Sequence, residues 1–220
     1  MNTGQLNGHE WVDLGLPSGV KWATCNIGAS CPEEYGDYFA WGDARIKGQY
    51  SWETYKYYSG RARNRNLPKF LLPRIKLSKY NSHSNNGMVD NLNSLVASDD
   101  PANELWGSGW RLPRRADFEE LQSLCKIEWE WNRDNKANGV TITGPNGNSI
   151  FLPAAGVYED DLFLGTLARD EGGYWSSNLA FDSTKALTLR IYCLEPYLTI
   201  SGLDEGYPRC YGLTIRPVTK

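Results

Sequence analysis

A chain of 220 residues can bury a substantial core, and its composition, 40% hydrophobic and 13% aromatic with nine tryptophans, excludes a disordered or collagen-like segment. Twenty-two glycines and 11 prolines spread along it suit short strands joined by turns better than long helices, so an α+β, β-rich fold with one or two helices and long loops is expected. A net charge of −3 gives no general attraction to nucleic acid or anionic membrane, and no apolar run is long enough to suggest membrane insertion.

Met1 to Glu10 is polar, reads as a flexible start, and lacks the basic and apolar parts of a secretory leader. Glu10 to Cys25 then reads as two strands around the Pro17-Ser18-Gly19 turn. From Ile46 to Asn86 nine basic residues, Lys47, Lys56, Arg61, Arg63, Arg65, Lys69, Arg74, Lys76 and Lys79, face one acid, Glu53. This tract reads as a solvated insertion loop, with phosphate or acidic-glycan binding as the alternative.

A helix is expected over Arg115 to Ile127, where Phe118, Leu121, Leu124 and Cys125 recur at helical spacing opposite Glu119, Glu120 and Lys126. Arg114 stands where Ser or Thr would cap its start, so that start is expected to lose about 1 kcal/mol or to find another partner. Val140–Thr143 and Ile150–Leu152 flank Gly144-Pro145-Asn146-Gly147-Asn148 and predict a hairpin. Leu187, Leu189, Ile191 and Cys193 alternate with Thr188, Arg190 and Tyr192, the two-residue period of a half-buried strand, so the second set should face away from the core. A last strand is expected over Tyr211 to Val218. No linker or repeat interrupts the chain, and residues 1–220 read as one domain carrying the basic insertion at about 46–86.

Chemistry has little to draw on. The two histidines, His9 and His83, read as surface residues, too few for a histidine metal site or a Ser-His-Asp triad, and no phosphate-binding loop is present. The acidic runs at 99–100 and 159–161 are weak calcium candidates that read as hydrated loop. Five cysteines without CxxC spacing indicate neither a zinc ribbon nor a full disulfide framework; Cys25 and Cys125 read as buried thiols, and a Cys193–Cys210 bridge stays open. No catalytic residue, metal or cofactor is expected. Between Trp175 and Tyr211, Leu179, Phe181, Leu194, Tyr197, Leu203 and Tyr207 sit among Gly, Asp, Ser and Pro, as on a recognition surface, the alternative being that they fold back on the core.

His9 to Ala29, Gly36-Asp-Tyr-Phe-Ala-Trp-Gly42, Trp110-Arg-Leu-Pro113, Thr143 to Gly156, Tyr174-Trp-Ser-Ser177 and Tyr211-Gly-Leu-Thr-Ile-Arg-Pro-Val218 together resemble the Fibrobacter succinogenes major paralogous domain abundant in Bacteroidetes. The resemblance implies a C-type-lectin-like fold of the type shared with formylglycine-generating enzymes, in which N- and C-terminal strands pair and long loops build one face. The enzyme branch needs a closely spaced cysteine pair near its C-terminus, which Cys193 and Cys210 do not supply, and no Glu-Pro-Asn or Gln-Pro-Asp triplet of calcium-dependent sugar binding is present.

The same fold carries the variable proteins of diversity-generating retroelements, whose C-terminal surface residues vary on a fixed scaffold. The resemblance therefore implies a binding module, an adhesin or receptor-binding protein on a cell surface or phage particle, recognising a protein or glycan. Its candidate residues are Leu179, Phe181, Thr188, Arg190, Tyr192, Leu194, Tyr197, Tyr207 and Arg209. A structural, pilin-like subunit is the alternative, and a divergent enzyme follows it.

Overall fold

The computed structural model describes residues 3–61, 74–131, 137–163, 171–192, 198–200 and 206–220, the backbone alone for 198–200. Its strands are β1 (Thr3–Leu6), β2 (His9–Asp13), β3 (Lys21–Ala23), β4 (Lys126–Glu130), β5 (Gly139–Thr143), β6 (Ser149–Pro153), β7 (Tyr158–Glu159), β8 (Leu162–Phe163), β9 (Glu171–Leu179), β10 (Lys185–Tyr192), β11 (Leu198–Ile200), β12 (Tyr207–Pro208) and β13 (Val218–Thr219). Two α-helices, α1 (Pro101–Trp106) and α2 (Arg115–Leu124), complete a β-rich α+β fold.

The chain begins in a hairpin. Asn7 and Gly8 both have positive φ, 51° and 83°, the two-residue turn that keeps the twist of paired strands, and they join β1 to β2. The polar start expected to be flexible is thus a strand from Thr3 onward. β2 and β3 pair around the Pro-Ser-Gly turn as the sequence suggests, and β13 adds to β3 through Val218 and Trp22, so one sheet runs β1-β2-β3-β13. The expected strand over 211–218 is shorter: only Val218–Thr219 is regular, while Gly212, Leu213 and Thr214 make single bridges to Tyr158, Phe39 and Tyr174. Each of these residues meets a different partner segment, so no ladder propagates.

Asp100 opens α1, its carboxylate accepting the N–H groups of Ala102 and Asn103, with Pro101 at the first helical position. In α2 the uncapped start is answered by Asp117, which accepts the Arg114 N–H at 2.6 Å and pairs with Arg111 Nη1 at 2.6 Å. Phe118 and Leu121 are buried as expected, but the helix stops at Leu124, whose side chain is exposed. Cys125 is extended and 126–130 becomes β4, because Lys-Ile-Glu-Trp-Glu alternates with the strand period. The hairpin around Asn146-Gly147 forms as expected, with β4 added to make the sheet β4-β5-β6.

Two apolar clusters share the β9–β10 hairpin. Neighbouring strand residues point to opposite faces, and Tyr174 with Leu189 and Ile191 enters one cluster beside Trp22, Phe118 and Val140. Trp175 and Ala186 enter the other, beside Phe39, Trp41, Tyr55, Tyr80 and Leu213. The hairpin is therefore covered on both faces along much of its length. No helix among the described residues is long and apolar enough to cross a membrane.

Candidate recognition site

The register of β9 and β10 decides which expected site residues reach the surface. Thr188 lies opposite Trp175, Arg190 opposite Gly173, and Tyr192 opposite Glu171. Directly opposed residues share a face, so Thr188, Arg190 and Tyr192 lie on one side, as their period requires. That side is covered where Trp175 packs: Thr188 is fully buried, which corrects its assignment as an outward-facing contact residue. Two residues on, the cover ends, and Arg190 and Tyr192 are half-buried.

Gly173 has no side chain to oppose Arg190, because Leu213 and Val157 fill that space, and the Arg190 guanidinium lies in an aromatic and acidic setting. The Arg190 guanidinium carbon lies 4.9 Å from the Tyr192 ring centre and 5.1 Å from that of Tyr207. Its Nη2 donates to Glu171 Oε1 at 2.8 Å, and the Tyr207 hydroxyl donates to the same oxygen at 2.9 Å. Burial alone would lower the Arg190 pKa, but Glu171, Tyr207 and Tyr192 outweigh it and raise it. For Tyr207, burial and then the Glu171 charge push the hydroxyl pKa up, so it remains a donor at neutral pH. The Tyr207 ring continues to Tyr211, 6.0 Å between centres, whose hydroxyl donates to Glu159 on β7. Tyr192, Arg190, Tyr207 and Tyr211 thus form a half-exposed ladder seated on two carboxylates.

Phe181 is 66% exposed, and its ring meets that of His83 at 6.1 Å. It sits in the turn of the β9–β10 hairpin, whereas Arg190 and Tyr192 sit toward the open end and Tyr207 is paired with Ala186 between them. Leu179 is half-buried and packs against the cluster that holds Trp175 and Ala186. Leu194, Tyr197 and Leu203, with Cys193, fall outside the described residues.

Arg209 is a second correction. It is fully buried, with its guanidinium carbon 4.8 to 5.8 Å from the ring centres of Trp41, Tyr55, Tyr57 and Tyr80. Nε donates to the Tyr55 hydroxyl, Nη1 to the carbonyls of Tyr80 and Ser183, and Nη2 to that of Lys79. Aromatic faces and carbonyl dipoles hold this charge in place of a carboxylate, and it serves the core, not a ligand.

The basic tract is partly drawn inward by acids that flank it. Lys47 pairs with Asp43 at 2.7 Å, and Lys56 and Lys79 both pair with Asp99, at 3.3 and 2.5 Å. Arg61 and Arg74 are exposed, while Arg63, Arg65 and Lys69 lie outside the described residues. A hollow of about 460 Å³ over Arg45–Gln49 and Thr54 adjoins the first of these pairs.

The acidic run at 99–100 is used internally. Burial would raise the Asp99 pKa, but hydrogen bonds from Lys79, Tyr80 and Tyr57 and the charge of Lys56 bring it down to about 2. Among the described residues no group of three or more His, Cys, Asp or Glu is placed to hold a metal ion. His9 stacks on Trp106, 3.8 Å between ring centres, and His83 is exposed. Cys210 is a buried free thiol; Cys25 and Cys125, expected to be buried, are half-buried and free.

The signal for the Tyr207–Glu171 contact was hidden in sequence, since Glu171 carries no pattern of its own and becomes a partner only through the strand register. In comparison with known proteins the chain matches no family model, no curated protein and no solved structure.

Proposed function

We propose that this chain is a ligand-binding module with a C-type-lectin-like scaffold, an adhesin or receptor-binding protein that recognises a protein or glycan through the face built by β9, β10 and β12. The observation that carries the reading is the half-exposed ladder in which Arg190 is held between Tyr192 and Tyr207 and tied to Glu171. Tyrosine supplies large contact area at low conformational cost and arginine supplies directional donors, and here both are fixed before any ligand arrives. The scaffold reading is supported by the pairing of β3 with β13 and by Arg111-Leu112-Pro113 leading into α2. Display on a cell surface or phage particle belongs to the same reading, as does sequence variation confined to the C-terminal face.

Binding is favoured over catalysis because strongly shifted groups do structural work. The Tyr38 hydroxyl, raised chiefly by burial, donates to the Ala155 carbonyl, and Asp99 anchors two lysines and Tyr80. The test is binding of the native protein and an Arg190→Ala/Tyr192→Ala variant to a panel of gut bacterial cells and glycans. Binding by the native protein and its loss in the folded variant is the expected result. Equal binding by both would overturn the assignment of this face; binding by neither, with stable self-association, would favour an assembly subunit.

A further inference from the structure

We infer that the tyrosine ladder takes a basic partner, a segment of another protein that presents lysine or arginine side chains; this rests on the binding-face reading above. The chemistry of the ladder is one-sided. The hydroxyl protons of Tyr207 and Tyr211 are already given to Glu171 and Glu159, so apart from Arg190 the surface offers ring faces and carboxylate oxygens more than it offers donors. Ring faces and carboxylates attract the same ligand group, a cation.

The charge around the ladder points the same way. Arg190, the one cation among the described residues in contact with the ladder rings, is balanced by Glu171. Glu159, which accepts the Tyr211 hydroxyl, and Asp161, two residues on, are exposed, and none of the described ion pairs engages either of them. The described residues of 157–211 include five carboxylates, Glu159, Asp160, Asp161, Glu171 and Asp182, against three basic residues, Lys185, Arg190 and Arg209. One of those three, Arg209, is sealed in the core. Acids therefore outnumber cations among the described residues around the ladder, and Leu162, 59% exposed beside Asp161, adds an apolar contact at its rim. A complementary surface would be steered to it by charge and held by the tyrosines.

The experiment uses the full chain and three synthetic peptides of equal length, in which the variable positions are Lys/Arg, Ser/Gln or Asp/Glu. The Lys/Arg peptide is expected to bind, with an affinity that falls as sodium chloride is raised. Glu159→Lys/Asp161→Lys is expected to weaken it by about tenfold or more, with Glu10→Lys, a distant exposed acid, as the unaffected control. Tyr211→Ala leaves the net charge unchanged and is expected to weaken it as well, which separates a built surface from non-specific attraction. Equal binding of all three peptides, or affinity unmoved by the charge reversal or by Tyr211→Ala, would overturn the inference. If binding to cells is lost in Arg190→Ala/Tyr192→Ala yet indifferent to salt and to Glu159→Lys/Asp161→Lys, the face stands and the basic partner does not.

Discussion

Arg209 Nε donates to the Tyr55 hydroxyl at 2.9 Å, across 154 positions of sequence. The same guanidinium reaches the carbonyls of Lys79, Tyr80 and Ser183, so one side chain fastens the 50s, the 80s and the β9–β10 turn together. Arg209→Ala would leave these acceptors unpaired in a buried site and is expected to cost more than about 3 kcal/mol of stability. Arg190→Ala, at a half-exposed pair, should cost within about 1 kcal/mol. Urea unfolding of the two variants checks the contrast.

Two adjacent carboxylates should give stability a maximum near pH 4. Burial raises the Asp100 carboxyl to about 6, against the backbone N–H groups of Leu112, Ala102 and Asn103. An acid raised on folding binds its proton more tightly in the native state, so stability falls as pH climbs from 3.8 to 6, by about 3 kcal/mol. Asp99, lowered to about 2, contributes about 2 kcal/mol above pH 4 that is lost as pH drops toward 2. Thermal melts across this range should rise and then fall on acidification; Asp100→Asn should flatten the first limb and Asp99→Asn the second.

Gly206 precedes Tyr207 with φ 90°, and a Cβ there would lie 2.4 Å from the Ala186 carbonyl oxygen. Gly206→Ala should cost about 1–2 kcal/mol and displace Tyr207 from Glu171. Binding through the ladder should fall together with stability, read by the same melts and by the cell-binding assay.

The buried Cys210 thiol, its pKa pushed up by burial, should resist a water-soluble disulfide reagent in the native protein and react only on unfolding. Cys25 and Cys31, half-buried, should react faster. Mass mapping of labelled peptides over time distinguishes them.

Local pattern carried the sequence reading as far as local pattern decides structure. The Asn146-Gly147 hairpin and the Pro-Ser-Gly turn are written in their turn residues, and the alternation at 187–192 placed Thr188, Arg190 and Tyr192 on one face correctly. It did not say how far the core extends over that face, because Trp175 covers Thr188 from another strand. Arg209 was misread for a related reason: an arginine in a Gly- and Pro-rich stretch reads as exposed, and the four rings that enclose it come from residues 41 to 80. Asn7-Gly8 and Asp100-Pro101 are signals that were present and passed over, a hairpin turn and a helix start.

The seam between β3 and β13 sets an order of events during synthesis. Trp22 leaves the ribosome almost 200 residues before its strand partner, Val218. Until then the edge of β3 stays unsatisfied and Trp22 lacks part of its cover. Contacts of such long range close slowly, and an open strand edge is an aggregation hazard while it waits. The β1-β2-β3-β13 sheet is therefore completed only once residue 218 has emerged, and a chain cut short before it should be recognised by the cell as unfinished.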